Sequence, residues 1–86
     1  MPRISEFYGI AIEIYFGDHS PPHFHAIYGE DEALVEIDPI RLTKGHLPAR
    51  GTRLVLEWAS EHQEELVDNW GRVQRFEPPF RIPGLP

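Results

Sequence analysis

An α+β domain, an antiparallel meander of three to four strands packed by one long C-terminal helix, is the fold class this sequence predicts. Three observations carry that prediction. Apolar and polar residues alternate with period two between Ile10 and Ile37, in runs separated by turn formers. After Pro48 the period changes to three and four. The 86 residues, 41% of them hydrophobic, supply enough apolar surface for one core and too little length for two.

Taken in order, Ile10-Ala11-Ile12-Glu13-Ile14-Tyr15-Phe16 puts Ile10, Ile12, Ile14 and Phe16 on one face and Glu13 and Tyr15 on the other, which predicts a strand with one buried face. Gly17-Asp18-His19-Ser20-Pro21-Pro22 is dense in turn formers, and Pro22 has no N–H to give a ladder, so the chain loops there. A second strand runs from His23 to Tyr28. Gly29-Glu30-Asp31 turns it into a third, from about Glu32 to Ile37, closed by Asp38-Pro39. Residues around Arg41 to Lys44 offer a short fourth strand.

Beyond Pro48, the spacing of Val55, Trp58, Ala59, His62, Leu66, Val67, Trp70 and Val73 predicts one long amphipathic helix, with a break near His62-Gln63 as the alternative. Pro48 suits a first turn, whereas Gly51 and Gly71 weaken the two ends. The remainder, Glu77 to Pro86, carries four prolines and reads as an extended tail whose Phe80, Ile82 and Leu85 dock on the domain or on a partner. The chain therefore divides into a domain over residues 1–75 and a tail over 76–86.

Composition narrows the function classes. Without cysteine, neither a disulfide scaffold nor a thiolate metal site can form, and a reducing cytoplasm fits. The first residues lack a signal-peptide pattern and no stretch is long enough to span a bilayer, so no membrane role is expected. A net charge of -6 disfavours broad nucleic-acid binding, which depends on neutralising many phosphates. Arg41, Lys44, His46, Arg50 and Arg53 nevertheless form a basic stretch without acids, and Arg50 and Arg53 near the helix start make a candidate anion site against the plainer reading of scattered surface charge. Trp58 and Trp70 suit core packing better than base stacking, and His62 suits a hydrogen-bonded, partly buried role.

Strand parity gives the sharpest inference. Side chains alternate faces, so if Ile12, Ile14 and Phe16 share the core face with Phe24, Ala26 and Tyr28, then Glu13 and Tyr15 share the opposite face with His23 and His25. Placing Ala33, Val35 and Ile37 inside adds Glu32, Leu34 and Glu36 to that second face. With alpha carbons roughly 6.5 to 7 Å apart, His23 and His25 point at one small target, and His19 in the preceding loop closes over them. The pattern His-x3-His-x-His offers neutral nitrogen ligands for zinc or another divalent transition metal, with Glu13, Glu36 or water completing the set of His19, His23 and His25. The same three histidines are also the candidate catalytic residues for metal-free acid–base chemistry, because an imidazole titrates near neutral pH. The ordinary alternative is a solvated face with histidines paired to Glu13 and Glu36 across strands. No nucleophile elbow or phosphate-cradling glycine loop is present.

Pro2-x-Ile4-Ser5-x-Phe7-Tyr8-Gly9-Ile10, then Tyr15-Phe16-x-Asp18-His19-x-Pro21-Pro22-His23-Phe24-His25, then Gly45-x-Leu47-Pro48 and Glu57-Trp58-Ala59 resemble a family of small bacterial proteins, the domain-of-unknown-function family four-one-six-zero, over about Met1 to Arg72. The resemblance implies a small protein partner encoded by an adjacent gene and the toxin-like half of a two-gene toxin-antitoxin module, and it makes Asp18, His19, His23 and His25 the positions a family function would use. The expected function is accordingly a small intracellular interaction protein with its effector site on the His19/His23/His25 hairpin. The alternative is a metal- or small-ligand-binding module without catalysis.

Overall fold

A computed structural model describes residues 2–86. Five strands form one antiparallel sheet in chain order, β1 (Arg3–Phe7), β2 (Ile10–Glu13), β3 (His23–Tyr28), β4 (Asp31–Ile37) and β5 (Ile40–Gly45), followed by α1 (Ala49–Glu61) and α2 (Gln63–Gln74). The α+β meander expected from the sequence is present, with five strands in place of three to four and two helices in place of one.

The additional strand is β1, which alternation does not reveal because a bulge interrupts it. Arg3 pairs with Glu13 and Ser5 with Ile12, so Ile4 is an extra residue on its strand. As a result Ile4 and Ser5 are both buried, and Phe7, three positions after Ile4, is buried as well. The strand expected over Ile10 to Phe16 is in fact shorter. Pairing stops at Glu13, although Ile14 stays inside and donates its N–H to the Pro2 carbonyl at 3.1 Å. Phe16, expected on the core face, is 43% exposed and stacks on Phe76 instead, because the ladder that would have held it inside has ended. Tyr28, also expected inside, lies at the far end of β3 and is 45% exposed.

Elsewhere the parity holds. Ile12 pairs with Ala26 and Ala26 with Ala33, while Phe24 pairs with Val35. These side chains, with Ile14 and Ile37, are at most 1% exposed. The strand β5, foreseen around Arg41 to Lys44, joins β4 with a register shift at Leu34/Val35, where Leu34 faces Lys44 but Val35 faces Leu42. Gly45 follows with φ +78, and a Cβ there would meet the Glu32 carbonyl oxygen at 2.1 Å, so only glycine fits where β5 closes against β4.

The helices cover the apolar face of the sheet. Trp58 of α1 is fully buried, edge-on to Phe24 at 5.7 Å and tilted against Phe7 at 5.4 Å. The helix breaks at His62, whose φ -123 and ψ 25 leave the helical region. Its N–H still reaches the carbonyls of Trp58 and Ala59, and its carbonyl accepts from Leu66 N–H, so one residue ends α1 and opens α2. The apolar spacing continues across the break, and periodicity alone therefore reads a single helix. Gln63 donates to the Ile37 carbonyl at 2.8 Å and ties the junction to the sheet. Val67, counted on the apolar face, is half exposed.

The tail is extended and docked on the domain. Ile82, 2% exposed, joins the core, and its N–H bonds to the Ile4 carbonyl at 2.7 Å. Buried Asn69 exchanges two hydrogen bonds with the backbone of Phe80, at 2.9 and 3.0 Å, and the Trp58 indole N–H donates to the Pro83 carbonyl at 2.8 Å. Among the described residues, no helix is long and apolar enough to cross a membrane.

Candidate metal centre

On the face opposite the core, the ladder sets two cross-strand rows. Glu13, His25, Leu34 and Lys44 form one, and His23, Glu36 and Arg41 form the other. The loop from Ile14 to Pro22 folds back over their β3 end and carries Asp18 to the histidines. It is held there by α2, since Gly17 N–H donates to the Val73 carbonyl at 3.2 Å and the Gln74 side chain to the Asp18 carbonyl at 3.0 Å. Trp70 lies 5.2 Å from the His23 ring and Tyr15 stacks on His25 at 4.0 Å, so both imidazoles are walled by aromatic rings. His23 is left 6% exposed.

Both rings converge on one oxygen. His23 Nε2 lies 2.8 Å and His25 Nε2 3.3 Å from Asp18 Oδ2, and one ligand atom from each of the three residues falls within 4.8 Å of the others. Donors bonded to one metal at about 2.0–2.1 Å stand about 3.0 Å apart at right angles and about 3.4 Å apart in a tetrahedron. The 3.3 Å separation falls within that range and the 2.8 Å one lies just below it.

The outer nitrogen of each ring faces an acceptor. His23 Nδ1–H donates to the Pro21 carbonyl at 2.8 Å, and His25 Nδ1–H donates to Glu32 Oε2 at 3.0 Å. A neutral imidazole has one N–H and one lone pair. When the ring is neutral and its N–H is used outward, each Nε2 turns a lone pair toward a carboxylate oxygen that is also an acceptor. Such a contact needs a cation between the partners, either a proton on each ring or a metal ion shared by both.

The electrostatics of the neighbours agree with a site organised around Asp18. Burial by itself would raise the Asp18 carboxyl, but the hydrogen bond from the His19 N–H and, with protons on both Nε2 atoms, those from the His25 and His23 rings together with the charge of His23 outweigh it and hold the group below the usual carboxylate range. The Tyr15 phenol is pushed up to about 12, first by burial and then by the charges of Glu32 and Glu13, with a hydrogen bond to Glu13 adding to the shift. The folded chain thus holds this proton more tightly than the unfolded one. Its contribution to stability is complete below pH 10 and is lost as pH rises toward about 12. Tyr15→Phe is therefore expected to flatten the alkaline limb of a stability–pH profile measured by urea unfolding, and parallel limbs for the two proteins would refute this.

Of the sequence-predicted site residues, His23 and His25 come together as the pleat required. His19 is exposed in the loop and stands outside the group of three, and Glu13, with its carboxylate 3.9 Å from Arg3 and 3.5 Å from the Tyr15 hydroxyl, is outside it too. Glu36 lines the same cleft but pairs with Arg41 at 3.2 Å. Arg50 sits 5.9 Å over the Tyr8 ring in a separate cleft, Arg53 is exposed, and neither borders the histidines. His62 is partly buried and bonds Glu65 at 2.5 Å, as its sequence context suggested. Sequence reasoning placed Glu32 on the histidine face and singled out Asp18 by family resemblance alone, but did not count Asp18 among the metal ligands and gave Trp70 and Gln74 no part in the site. The available signal was Asp18 directly after a glycine turn, five residues before His23.

A family model described as a domain of unknown function, DUF4160, matches residues 9–71. The chain belongs to this family. The DUF4160 match takes in Asp18, His23, His25 and Glu32 together with Trp70, and leaves out β1 and the docked tail. No curated protein and no solved structure matches the chain.

Proposed function

We propose that this chain is a small metal-binding module whose centre is formed by Asp18 Oδ2, His23 Nε2 and His25 Nε2, with the remaining coordination positions open to a cleft. The observation that carries the proposal is the outward use of both Nδ1–H groups, on the Pro21 carbonyl and on Glu32, which leaves the Nε2 atoms of both rings facing one carboxylate oxygen, each with a lone pair when its ring is neutral. Ligating histidines generally donate their other N–H to a carbonyl or carboxylate in this way, which orients the ring and fixes its tautomer. Two nitrogens and one carboxylate oxygen suit zinc and the neighbouring divalent first-row ions, and three protein ligands leave room for exchangeable ones.

Isothermal titration of the untagged protein with zinc or cobalt(II) near neutral pH tests the proposal. We expect 1:1 binding that weakens on acidification, because protons compete for the ring nitrogens. Free metal at 100 times the dissociation constant should stabilise the fold by about 2.7 kcal/mol, which for a domain of this size raises Tm by roughly 10 °C or more. Heats no greater than those of the His23→Asn/His25→Asn double variant, with no metal-dependent change in Tm, would remove the metal reading.

A further inference from the structure

We infer that the open position of this centre takes a small oxyanion, a carboxylate or phosphate group, and that Lys44 is its second anchor; the inference rests on the metal-binding reading above. The cleft beside the three ligands measures about 210 Å³, below the roughly 300–1,000 Å³ of pockets that enclose drug-sized molecules. It fits a single small group. Leu34 and Lys44 line it together with the three ligands.

The register places Lys44 on the same row as His25, with Leu34 between them. Two strand spacings set the alpha carbons of His25 and Lys44 about 9.5 Å apart, so Lys44, which lines the cleft, and a metal on the His25 ring stand on either side of Leu34. A ligand with two oxygens on one carbon or phosphorus atom bridges such a pair, one oxygen on the metal and another on the ammonium.

Charge supports an anion at this place. The cleft's acids are already engaged, Glu36 by Arg41 at 3.2 Å and Asp18 by both rings, and Glu32 on the outer side is taken by His25. Among the described residues no carboxylate lies within 4.0 Å of the Lys44 nitrogen. With a divalent ion bound, two positive centres therefore flank the cleft on a chain whose net charge is -6. Ser20 and His19 also line the cleft and offer polar atoms to a third oxygen. Lysine here is a point-charge binder of an oxyanion, which does not require the planar fork of arginine.

The test uses the cobalt(II)-loaded full chain, whose visible spectrum reports ligands entering the metal's coordination sphere, titrated with inorganic phosphate and in parallel with acetate. We expect saturable spectral changes with at least one of the two, and the tighter of them names the oxyanion class. In Lys44→Met the cobalt affinity should be unchanged and the anion affinity about 10-fold lower or less still, as loss of a charged hydrogen bond implies. Equal anion affinity in the wild type and Lys44→Met would overturn the role of Lys44. Bound cobalt with no spectral response to either anion would overturn the oxyanion site while leaving the metal reading intact. Failure of cobalt itself to bind would remove both.

Discussion

In Asp18→Asn we expect the metal-dependent rise in Tm to disappear while the metal-free protein, measured with a chelator at pH 7.5, melts no lower than the wild type. Asp18 is the oxygen both rings face, and replacing its charge by an amide removes a ligand outright. The loss in metal affinity should exceed the roughly 10- to 100-fold typical of losing an outer-shell partner. The metal-free form responds differently. There, a carboxylate oxygen 2.8 Å from His23 Nε2 and 3.3 Å from His25 Nε2 meets two acceptors when the rings are neutral. An asparagine N–H supplies the missing donor, and its Oδ1 can still accept the His19 N–H now bonded to Asp18 Oδ1 at 2.8 Å. A site built instead as a permanent ion pair between Asp18 and two protonated rings would lose its counter-charge in this variant and melt lower. The sign of the metal-free change thus separates the two accounts. Acid titration adds a second readout. In the state with both rings protonated, the depressed Asp18 carboxyl contributes stability above its unfolded pKa that is lost as pH falls through the folded one, and the asparagine variant lacks that step.

Trp58→Ala should be the most damaging single change to the fold. The indole is fully buried between Phe7 and Phe24, lies 5.6 Å from His62, and its N–H holds the Pro83 carbonyl at 2.8 Å. Emptying such a site costs about 3–5 kcal/mol, a large part of the roughly 5–15 kcal/mol that holds a native domain together. Because the same residue fastens the tail, the variant should also release residues 78–86, and limited trypsin digestion should cut after Arg81 much earlier than in the wild type. Trp58→Phe keeps most of the volume and loses the hydrogen bond, and it is expected to fall between the two. A urea-unfolding difference below about 1.5 kcal/mol for Trp58→Ala would contradict this account of the core.

The sequence by itself determined what depends on the local period of the chain. Alternation along His23 to Tyr28 obliges His23 and His25 to share the face opposite Phe24 and Ala26, and the matching alternation in Ala33, Val35 and Ile37 obliges Leu34 and Glu36 to join the histidines. The apolar spacing around Trp58, Leu66 and Val73 likewise obliges helical structure with one buried stripe. Only the tertiary structure decided which residue completes the histidine pair. His19, Glu13 and Asp18 are all near His23 in sequence, but the backbone of the connecting loop has no period to read, and its path is set by α2 through Val73 and Gln74, more than 50 residues away. The bulge at Ile4 hid β1 because one inserted residue reverses the faces of those before it. The break at His62 hid α2 because the apolar stripe runs on through it. The tail's place on the core was equally a long-range matter, since the partners of Phe80, Ile82 and Pro83 are Asn69, Ile4 and Trp58, and nothing in a proline-rich segment records which surface will accept it.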